Sequence, residues 1–199
     1  MAISAKDVAE LRAKTGAGMM DCKKALQEAD GNIDAAVKWL REKGIASAAK
    51  REARSASEGF VGSYVHLGGK IGVMVELNCE TDFVARNEEF QALARELAMQ
   101  VAFSNPAYLK VEDIPADVLD REREIAANLA RNEGRPEAAL PKIVEGRVRK
   151  FSEESALLTQ AYMRDNKRQV QDLIQEVRAK LGENIQVRRF VRFKVGEEA

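Results

Sequence analysis

The chain has 199 residues, of which 45% are hydrophobic and 32% are charged, which is typical of one mid-sized domain or of a small domain joined to a larger one. Lys+Arg and Asp+Glu both total 32, and the absence of a basic excess argues against a protein held to nucleic acid mainly through phosphates. One histidine and two distant cysteines offer no zinc-ligand spacing and no Ser-His or Cys-His pair. We therefore expect no metal and no cofactor. Counting residues leaves carboxylate-based or lysine-based catalysis open, but no motif supports it, and we expect no enzyme.

The sequence also gives an expectation about the cellular compartment. No apolar run approaches the roughly 20 residues of a membrane helix, and the first residues lack the basic and apolar segments of a secretory signal. Cys22 and Cys79 each lie in an apolar neighbourhood, and we interpret both as reduced core residues. A cytoplasmic protein without membrane contact is expected.

Residues 1–44 are predicted to form a small domain of three short helices. Ser4 and Asp7 have the spacing of a capping box, in which each side chain binds a free backbone N–H at the helix start. Asn32 follows a turn sequence and is suited to cap the third helix. Gly44 is predicted to end that helix.

The remaining chain divides into a linker and a core domain. Residues 45–58 are small, polar or charged and carry no apolar stripe, so we interpret them as a linker and leave open whether it is partly helical. Residues 59–199 are predicted to form the core. Within it, segments 60–67 and 71–78 predict a β-hairpin that turns at two consecutive glycines.

The hairpin is predicted to have two apolar faces. Four alternating residues of the second strand are expected to face the core: Ile71, Val73, Val75 and Leu77. The other face is predicted to carry Phe60, Tyr64 and Met74, together with Phe190 of the last strand. Because a solvent-facing side is more often polar, we expect something to cover this second face.

Apolar stripes predict four further helices, near Phe90–Val101, Val118–Leu129, Ile143–Phe151 and Val170–Leu181. Pro141 is predicted to start or to kink the third of these helices. The last segment, 185–195, alternates as a strand and is expected to join the hairpin, because a lone strand leaves its backbone groups unpaired. The predicted fold class is α+β, with a three-stranded, mainly antiparallel sheet packed against helices.

Two motifs resemble the elongation factor Ts family. The first spans residues 11–26 and includes Thr15-Gly-Ala-Gly-Met-Met-Asp21. The second, Glu76-Leu-Asn-Cys-Glu-Thr-Asp-Phe-Val-Ala-Arg-Asn87, is long and unusual in composition. Similarity continues at Glu145-Gly-Arg147 and Gly182-Glu-Asn-Ile185, so the resemblance spans almost the whole chain.

The resemblance implies a role in translation elongation. The protein would be a guanine-nucleotide exchange factor with a UBA-like N-terminal domain. It would bind elongation factor Tu in its GDP-bound and nucleotide-free forms and promote GDP release so that GTP can bind. Short members of the family work as homodimers, so the apolar second face (Phe60, Tyr64, Met74 and Phe190) is the implied dimer interface. No direct contact with nucleic acid or membrane is implied.

The second motif carries the site that the resemblance implies. In the family, the pair matching Asp82 and Phe83 enters the G domain of elongation factor Tu near its nucleotide, where the aromatic ring wedges between helices. Four neighbours are implied to shape this contact: Thr81, Val84, Arg86 and Asn87. From the residues alone, Asp82 could instead cap a helix and Phe83 could fill the core. Thr81 and Asn87 are also suited to cap helices.

The first motif implies a second contact with the same partner. In the family this region leans on the G domain of elongation factor Tu, and here it would contribute Arg12, Met19 and Met20. Methionine adapts well to a partner surface. From the residues alone, at least one of the two methionines could instead fill the core of the small helical domain.

The last strand supports an alternative function. It carries four basic residues interleaved with two phenylalanines: Arg188, Arg189, Arg192 and Lys194, with Phe190 and Phe193. Basic and aromatic side chains together can bind RNA, so an RNA- or ribosome-binding protein is the alternative. The zero net charge and the alternation favour a solvated sheet face instead.

Overall fold

The structure is a computed structural model that describes residues 3–15, 17, 19–52 and 54–197. Gly16 and Gly18 of the first motif lie outside these residues. The described part of the chain forms eight α-helices: α1 Ala5–Thr15, α2 Met19–Glu28, α3 Ile33–Glu52, α4 Asp82–Ala85, α5 Glu88–Ser104, α6 Ala116–Asn132, α7 Leu140–Ser155 and α8 Val170–Leu181. It also forms five strands: β1 Glu58–Val65, β2 Ile71–Cys79, β3 Ala161–Tyr162, β4 Asp165–Gln169 and β5 Gln186–Lys194.

The described residues group into two compact units. The first comprises those of Met1–Phe60, Leu77–Leu93 and Ile174–Gln186, and the second those of Val61–Glu76, Ala94–Leu173 and Val187–Ala199. Helices and a three-stranded sheet in the order β1-β2-β5 confirm the α+β prediction. Strand β5 therefore joins the hairpin, as expected. No helix among the described residues is long and apolar enough to cross a membrane.

The three N-terminal helices form a small helical domain with its own core. The predicted capping box is confirmed, because the Ser4 N–H donates to the Asp7 carboxylate and the Asp7 N–H donates to the Ser4 hydroxyl oxygen, at 3.2 and 3.1 Å. The Asn32 side chain accepts from the Ala35 N–H at 3.0 Å and caps α3. Six residues form the buried cluster between the helices: Val8, Leu11, Cys22, Ala25, Leu26 and Ala36.

The third helix is longer than predicted. The prediction that it ends at Gly44 is wrong, because α3 continues to Glu52. Glycine inside a helix costs about 1 kcal/mol relative to alanine, whereas the alanine-rich sequence that follows favours the helix. The chain from 45 to 52 is thus helical, which the sequence analysis had left open.

The core-facing side of the sheet lies directly against a helix in the second unit. Val73 and Val75 of β2 are buried. On β1, a Cβ atom built on Gly62 would lie only 2.7 Å from the carbonyl carbon and oxygen of Ala94 in α5. The strand and helix backbones therefore touch at a position where no side chain separates them.

The assignment of residues to the second face needs correction for the outer strands. In β1, Tyr64 is half-buried and lies on the same side as Gly62, whereas Val61 and Val65 are exposed. Phe60 is also half-buried and precedes Gly62 by two residues, so it shares their side of the strand.

In strand β5, too, the predicted phenylalanine lies on the other side of the strand from the one expected. Half-buried Phe190 alternates with exposed Val191 and Phe193. Of the four residues predicted on the second face, only Met74 lies there. The apolar second face nevertheless exists, and we define it by its exposed members in the second unit: Val61, Val65, Met74, Val191 and Phe193.

The rest of the second unit is mainly helical. Pro141 lies in the first turn of α7, which confirms that this helix starts there. Helix α6 packs against α7. Arg147 donates to Glu133 at 2.7 Å beyond the end of α6, and this hydrogen bond lowers the pKa of the Glu133 carboxyl.

A two-stranded sheet, β3-β4, was not predicted. It is polar and is held to α5 by side chains rather than by an apolar stripe. Buried Gln100 accepts from the Met163 N–H at 2.9 Å and donates to the Ala161 carbonyl at 3.2 Å. The Tyr162 hydroxyl donates to Glu96 at 2.8 Å, and burial followed by this hydrogen bond raises the pKa of Tyr162.

Candidate partner-binding site

The second motif forms a short turn of helix between strand β2 and helix α5. Thr81 has an extended backbone, with φ −126° and ψ 153°, and its hydroxyl oxygen accepts from the Val84 N–H at 3.3 Å. Asn87 begins the next helix by accepting from the N–H groups of Glu89 and Phe90 at 2.8 and 3.4 Å. Both cap predictions are thereby confirmed: Thr81 caps the start of α4, and Asn87 caps the start of α5.

Helix α4 has one buried and one exposed side. Val84 and Ala85 are buried. Phe83 is 85% exposed, so the alternative that it fills the core is wrong. Most large apolar side chains are buried in folding, and an aromatic ring left in solvent on a capped turn is available to a partner.

Asp82 and Arg86 form an ion pair on the exposed side of the turn. The Arg86 guanidinium lies 3.0 Å from the Asp82 carboxylate, and both side chains are mostly exposed. Asp82 is the first residue of α4 rather than its cap, which is Thr81. The pair therefore flanks Phe83 with one negative and one positive group.

The loop before the turn is anchored by a distant residue that the sequence analysis did not identify as functional. The Glu183 carboxylate accepts hydrogen bonds from the N–H groups of Glu80 and Thr81 and from the Thr81 hydroxyl. The only sequence signal was the similarity at Gly182–Ile185. Nothing local links that segment to the second motif, which lies about a hundred residues earlier.

Cys79 supports the same loop from inside. Its buried thiol donates to the Thr81 carbonyl at 3.2 Å. Burial, and then the negative charge of Glu183, raises the pKa of the Cys79 thiol to about 11. A protonated, buried thiol is a poor nucleophile and metal ligand, so Cys79 acts here as a core residue.

The first motif presents its methionines to solvent. Met19 and Met20 are 59% and 75% exposed, so neither of them fills the core of the helical domain. Arg12 is exposed on α1. The buried positions of α2 are taken by Cys22, Ala25 and Leu26 instead.

Three of the four basic residues of the last strand have acidic partners. Arg189 lies 2.6 Å from Glu76, and Arg192 and Lys194 lie 2.9 and 2.8 Å from Glu197. These pairs reduce the positive field that RNA binding needs. Among the described residues, no group of three or more His, Cys, Asp or Glu side chains could hold a metal ion.

Comparison with known proteins gives a consistent result. A family model described as elongation factor TS matches residues 3–197. Elongation factor Ts of Thermoanaerobacter pseudethanolicus is 56% identical, over 98% of this chain and 96% of the relative. The corresponding values are 57%, 98% and 96% for that of Moorella thermoacetica, and 54%, 100% and 99% for that of Nitratidesulfovibrio vulgaris. The chain therefore belongs to the elongation factor Ts family of translation factors, whose known function is guanine-nucleotide exchange.

Proposed function

We propose that this protein binds elongation factor Tu, both GDP-bound and nucleotide-free, and releases GDP by inserting Phe83 beside the nucleotide site. The observation that carries the proposal is an aromatic ring, 85% exposed, on a short helix that Thr81 caps and that is followed by a second helix capped by Asn87. No covalent bond is made or broken, so the protein is an exchange factor and not an enzyme.

The physical basis is the energy that an exposed aromatic ring can gain on binding. Large aromatic side chains are frequent among the few residues that dominate interface energies. GDP is held by backbone N–H groups and by a metal that bridges its oxygens, so a small displacement of those elements weakens several bonds at once. Binding free energies are reciprocal, and GDP must therefore weaken binding of this protein to the same extent.

The flanking residues have separate roles in this proposal. Asp82 and Arg86 offer charged groups next to Phe83 in the chain, Thr81 caps the start of α4, and Asn87 caps the start of α5. Val84 is buried and supports the turn from inside.

The first motif offers a second contact with the same partner. Met19 and Met20 are exposed, as is Arg12, and flexible thioether side chains adapt to a partner surface. Two contacts that are separated along the chain would fix the orientation of the exchange factor on its partner. Phe83 would then approach the nucleotide site in a single orientation.

We further propose that the protein is a homodimer formed through the second sheet face. The three neighbouring strands of the sheet leave five apolar side chains exposed: Val61, Val65, Met74, Val191 and Phe193. Exposed apolar patches mark interfaces. The Arg189–Glu76 pair lies on β5 and β2 beside this patch. A second copy would present the same patch about a two-fold axis, which is the commonest symmetry of oligomers.

The alternative of RNA binding through the last strand has less support, because Arg189, Arg192 and Lys194 each face a carboxylate. We infer a cytoplasmic location from the proposed partner in translation. Both cysteines are free and buried, which suits a reducing compartment.

The test is the release of a fluorescent GDP analogue from elongation factor Tu. We expect wild type to accelerate release and Phe83→Ala to lose about tenfold or more of that effect, as is typical of an interface hot spot. Phe103→Ala is the matched control, because Phe103 is a similarly exposed aromatic, at 76%, on α5.

Both variants should keep the unfolding midpoint of wild type, since neither ring is buried. A wild type that leaves GDP release unchanged would contradict the exchange function. Equal activity of Phe83→Ala and Phe103→Ala would contradict the role of Phe83 alone.

A further inference from the structure

A single carboxylate holds the start of the candidate site. One Glu183 oxygen accepts from the N–H groups of Glu80 and Thr81, each at 3.1 Å, and the other accepts from the Thr81 hydroxyl at 2.6 Å. Glu183 lies two residues beyond the end of α8. Hydrogen bonds to a charged acceptor are stronger than those between neutral groups, so this carboxylate is a strong anchor.

The Thr81 hydroxyl connects this anchor to helix α4. Its proton is donated to Glu183, which leaves an oxygen lone pair to accept from the Val84 N–H at 3.3 Å. Glu183 therefore fixes the hydroxyl in the orientation that caps α4. Hydrogen bonds arranged in such a chain polarise and strengthen one another.

The two segments hold each other reciprocally. While Glu183 accepts from the Glu80 N–H, the Glu80 carboxylate accepts from the Asn184 N–H at 2.7 Å. The Arg54 guanidinium lies 3.6 Å from the Glu80 carboxylate and offsets part of its charge. The loop before α4 is thus fastened to residues 183 and 184 in both directions.

The exposed ring depends on this anchor for its position. Helix α4 has four residues, and so short a helix is not stable by itself. The Phe83 ring is 85% exposed, so packing against its own chain does little to orient it. The backbone of α4 therefore sets the orientation of the Phe83 ring. The position of that backbone is set in turn by its cap, Thr81.

We propose that Glu183 is a positioning residue for nucleotide exchange, which holds Glu80 and Thr81 and so keeps Phe83 in the orientation that the partner meets. This inference rests on the proposed function of Phe83. It predicts that loss of Glu183 impairs exchange only as long as Phe83 is present.

The experiment measures GDP release from elongation factor Tu with three full-length variants. Glu183→Ala removes all three hydrogen bonds and should lower stimulated release roughly tenfold. Glu183→Gln keeps the shape and one acceptor oxygen and should recover part of this loss. Glu154→Ala on α7 removes the same charge and an i,i+4 ion pair, and should exchange like wild type.

A double-mutant cycle separates positioning from general destabilisation. If Glu183 acts through Phe83, adding Glu183→Ala to Phe83→Ala should lower release by less than about twofold. Thr81→Val removes the hydrogen bonds of the hydroxyl but keeps both backbone N–H bonds to Glu183. It should therefore lower stimulated GDP release less than Glu183→Ala does. Circular dichroism melting verifies that each variant is folded under the assay conditions.

The outcomes distinguish the two proposals. If wild type and Phe83→Ala behave as expected but Glu183→Ala and Thr81→Val exchange like wild type, only the role of Glu183 is overturned. The same holds if Glu183→Ala lowers release equally with and without Phe83. If wild type does not accelerate release, the exchange function fails and this inference fails with it.

Discussion

Among single residues, Cys79 shows how closely the candidate site is tied to the core. Its thiol is buried and donates to the Thr81 carbonyl, in the loop that Glu183 anchors. A thiolate at this position would lose the bond and would lie near the Glu183 carboxylate. The hydrogen bond from Cys79 to the site therefore requires that the thiol stays protonated in the folded protein.

We expect this proton to make the protein sensitive to alkali. The pKa of Cys79 is raised from 9.0 to about 11, so between these values the unfolded chain loses a proton that the folded chain retains. The contribution of the Cys79 proton to the free energy of unfolding is fully present below pH 9 and is lost as the pH rises to about 11. The free energy of unfolding should then fall by up to about 1.4 kcal/mol per pH unit from this group.

Urea denaturation of wild type and Cys79→Ala over this range checks the prediction. The comparison is needed because the pKa values of Lys180, beside Glu89, and of buried Tyr162 are raised as well. Their effect remains in Cys79→Ala, so its stability should decline less steeply than that of wild type. Parallel pH curves for the two proteins would contradict the role given to the Cys79 proton.

At the residue scale, helix caps that involve only neighbouring residues were predicted well from the sequence. The Ser4–Asp7 capping box and the Asn32 and Asn87 caps each depend on groups within three residues of one another. Such hydrogen bonds need no knowledge of the distant chain. Whether Phe83 lies in the core or in solvent depends on the rest of the fold, and the residues alone left both options open.

Between elements, strand β1 makes a close backbone contact with helix α5. We expect Gly62→Ala to destabilise the protein by about 1–3 kcal/mol, because its new methyl group would meet the backbone of Ala94. Gly72→Ala on β2 is the matched control, since a Cβ atom there meets nothing within 4 Å.

Chemical denaturation of the two variants checks this contact. Gly72→Ala should stay within about 0.5 kcal/mol of wild type. If Gly62→Ala were as stable as Gly72→Ala, strand and helix would be further apart than described.

At the element scale, the sequence did not predict features that depend on residues distant in the chain. Strand faces differ by a shift of one residue, so the sequence predicted an apolar second face but assigned Tyr64 and Phe190 to the wrong side. Helix α3 passes Gly44 because helix propensity alone does not determine where a helix ends. The polar strands β3 and β4 carry no apolar alternation that would have predicted them.

For the whole molecule, the main prediction concerns its oligomeric state. Wild type is expected to be a dimer, and Met74→Glu should be a monomer, because each copy would bury a carboxylate without a partner in the proposed interface. Sedimentation equilibrium measures this directly. Phe103→Glu places the same charge on an exposed apolar residue outside the second face and should remain a dimer.

A dimeric Met74→Glu would contradict the proposed interface, and a monomeric wild type would contradict the homodimer itself. Neither outcome bears on Phe83, since the exchange experiment is read separately. The two proposals can therefore succeed or fail independently.

The anchoring of the site has a consequence for the synthesis of the protein. Glu80 and Thr81 are translated about a hundred residues before Glu183, whose carboxylate accepts hydrogen bonds from their N–H groups. At about 5–20 residues per second, this separation amounts to about 5–20 s on the ribosome. During that time the nascent chain already contains Phe83, on a turn that has its local caps but not its hydrogen bonds to Glu183. The hydrogen bonds that residues 183 and 184 make to the motif can therefore form only after the motif has been translated, once both residues have left the ribosome.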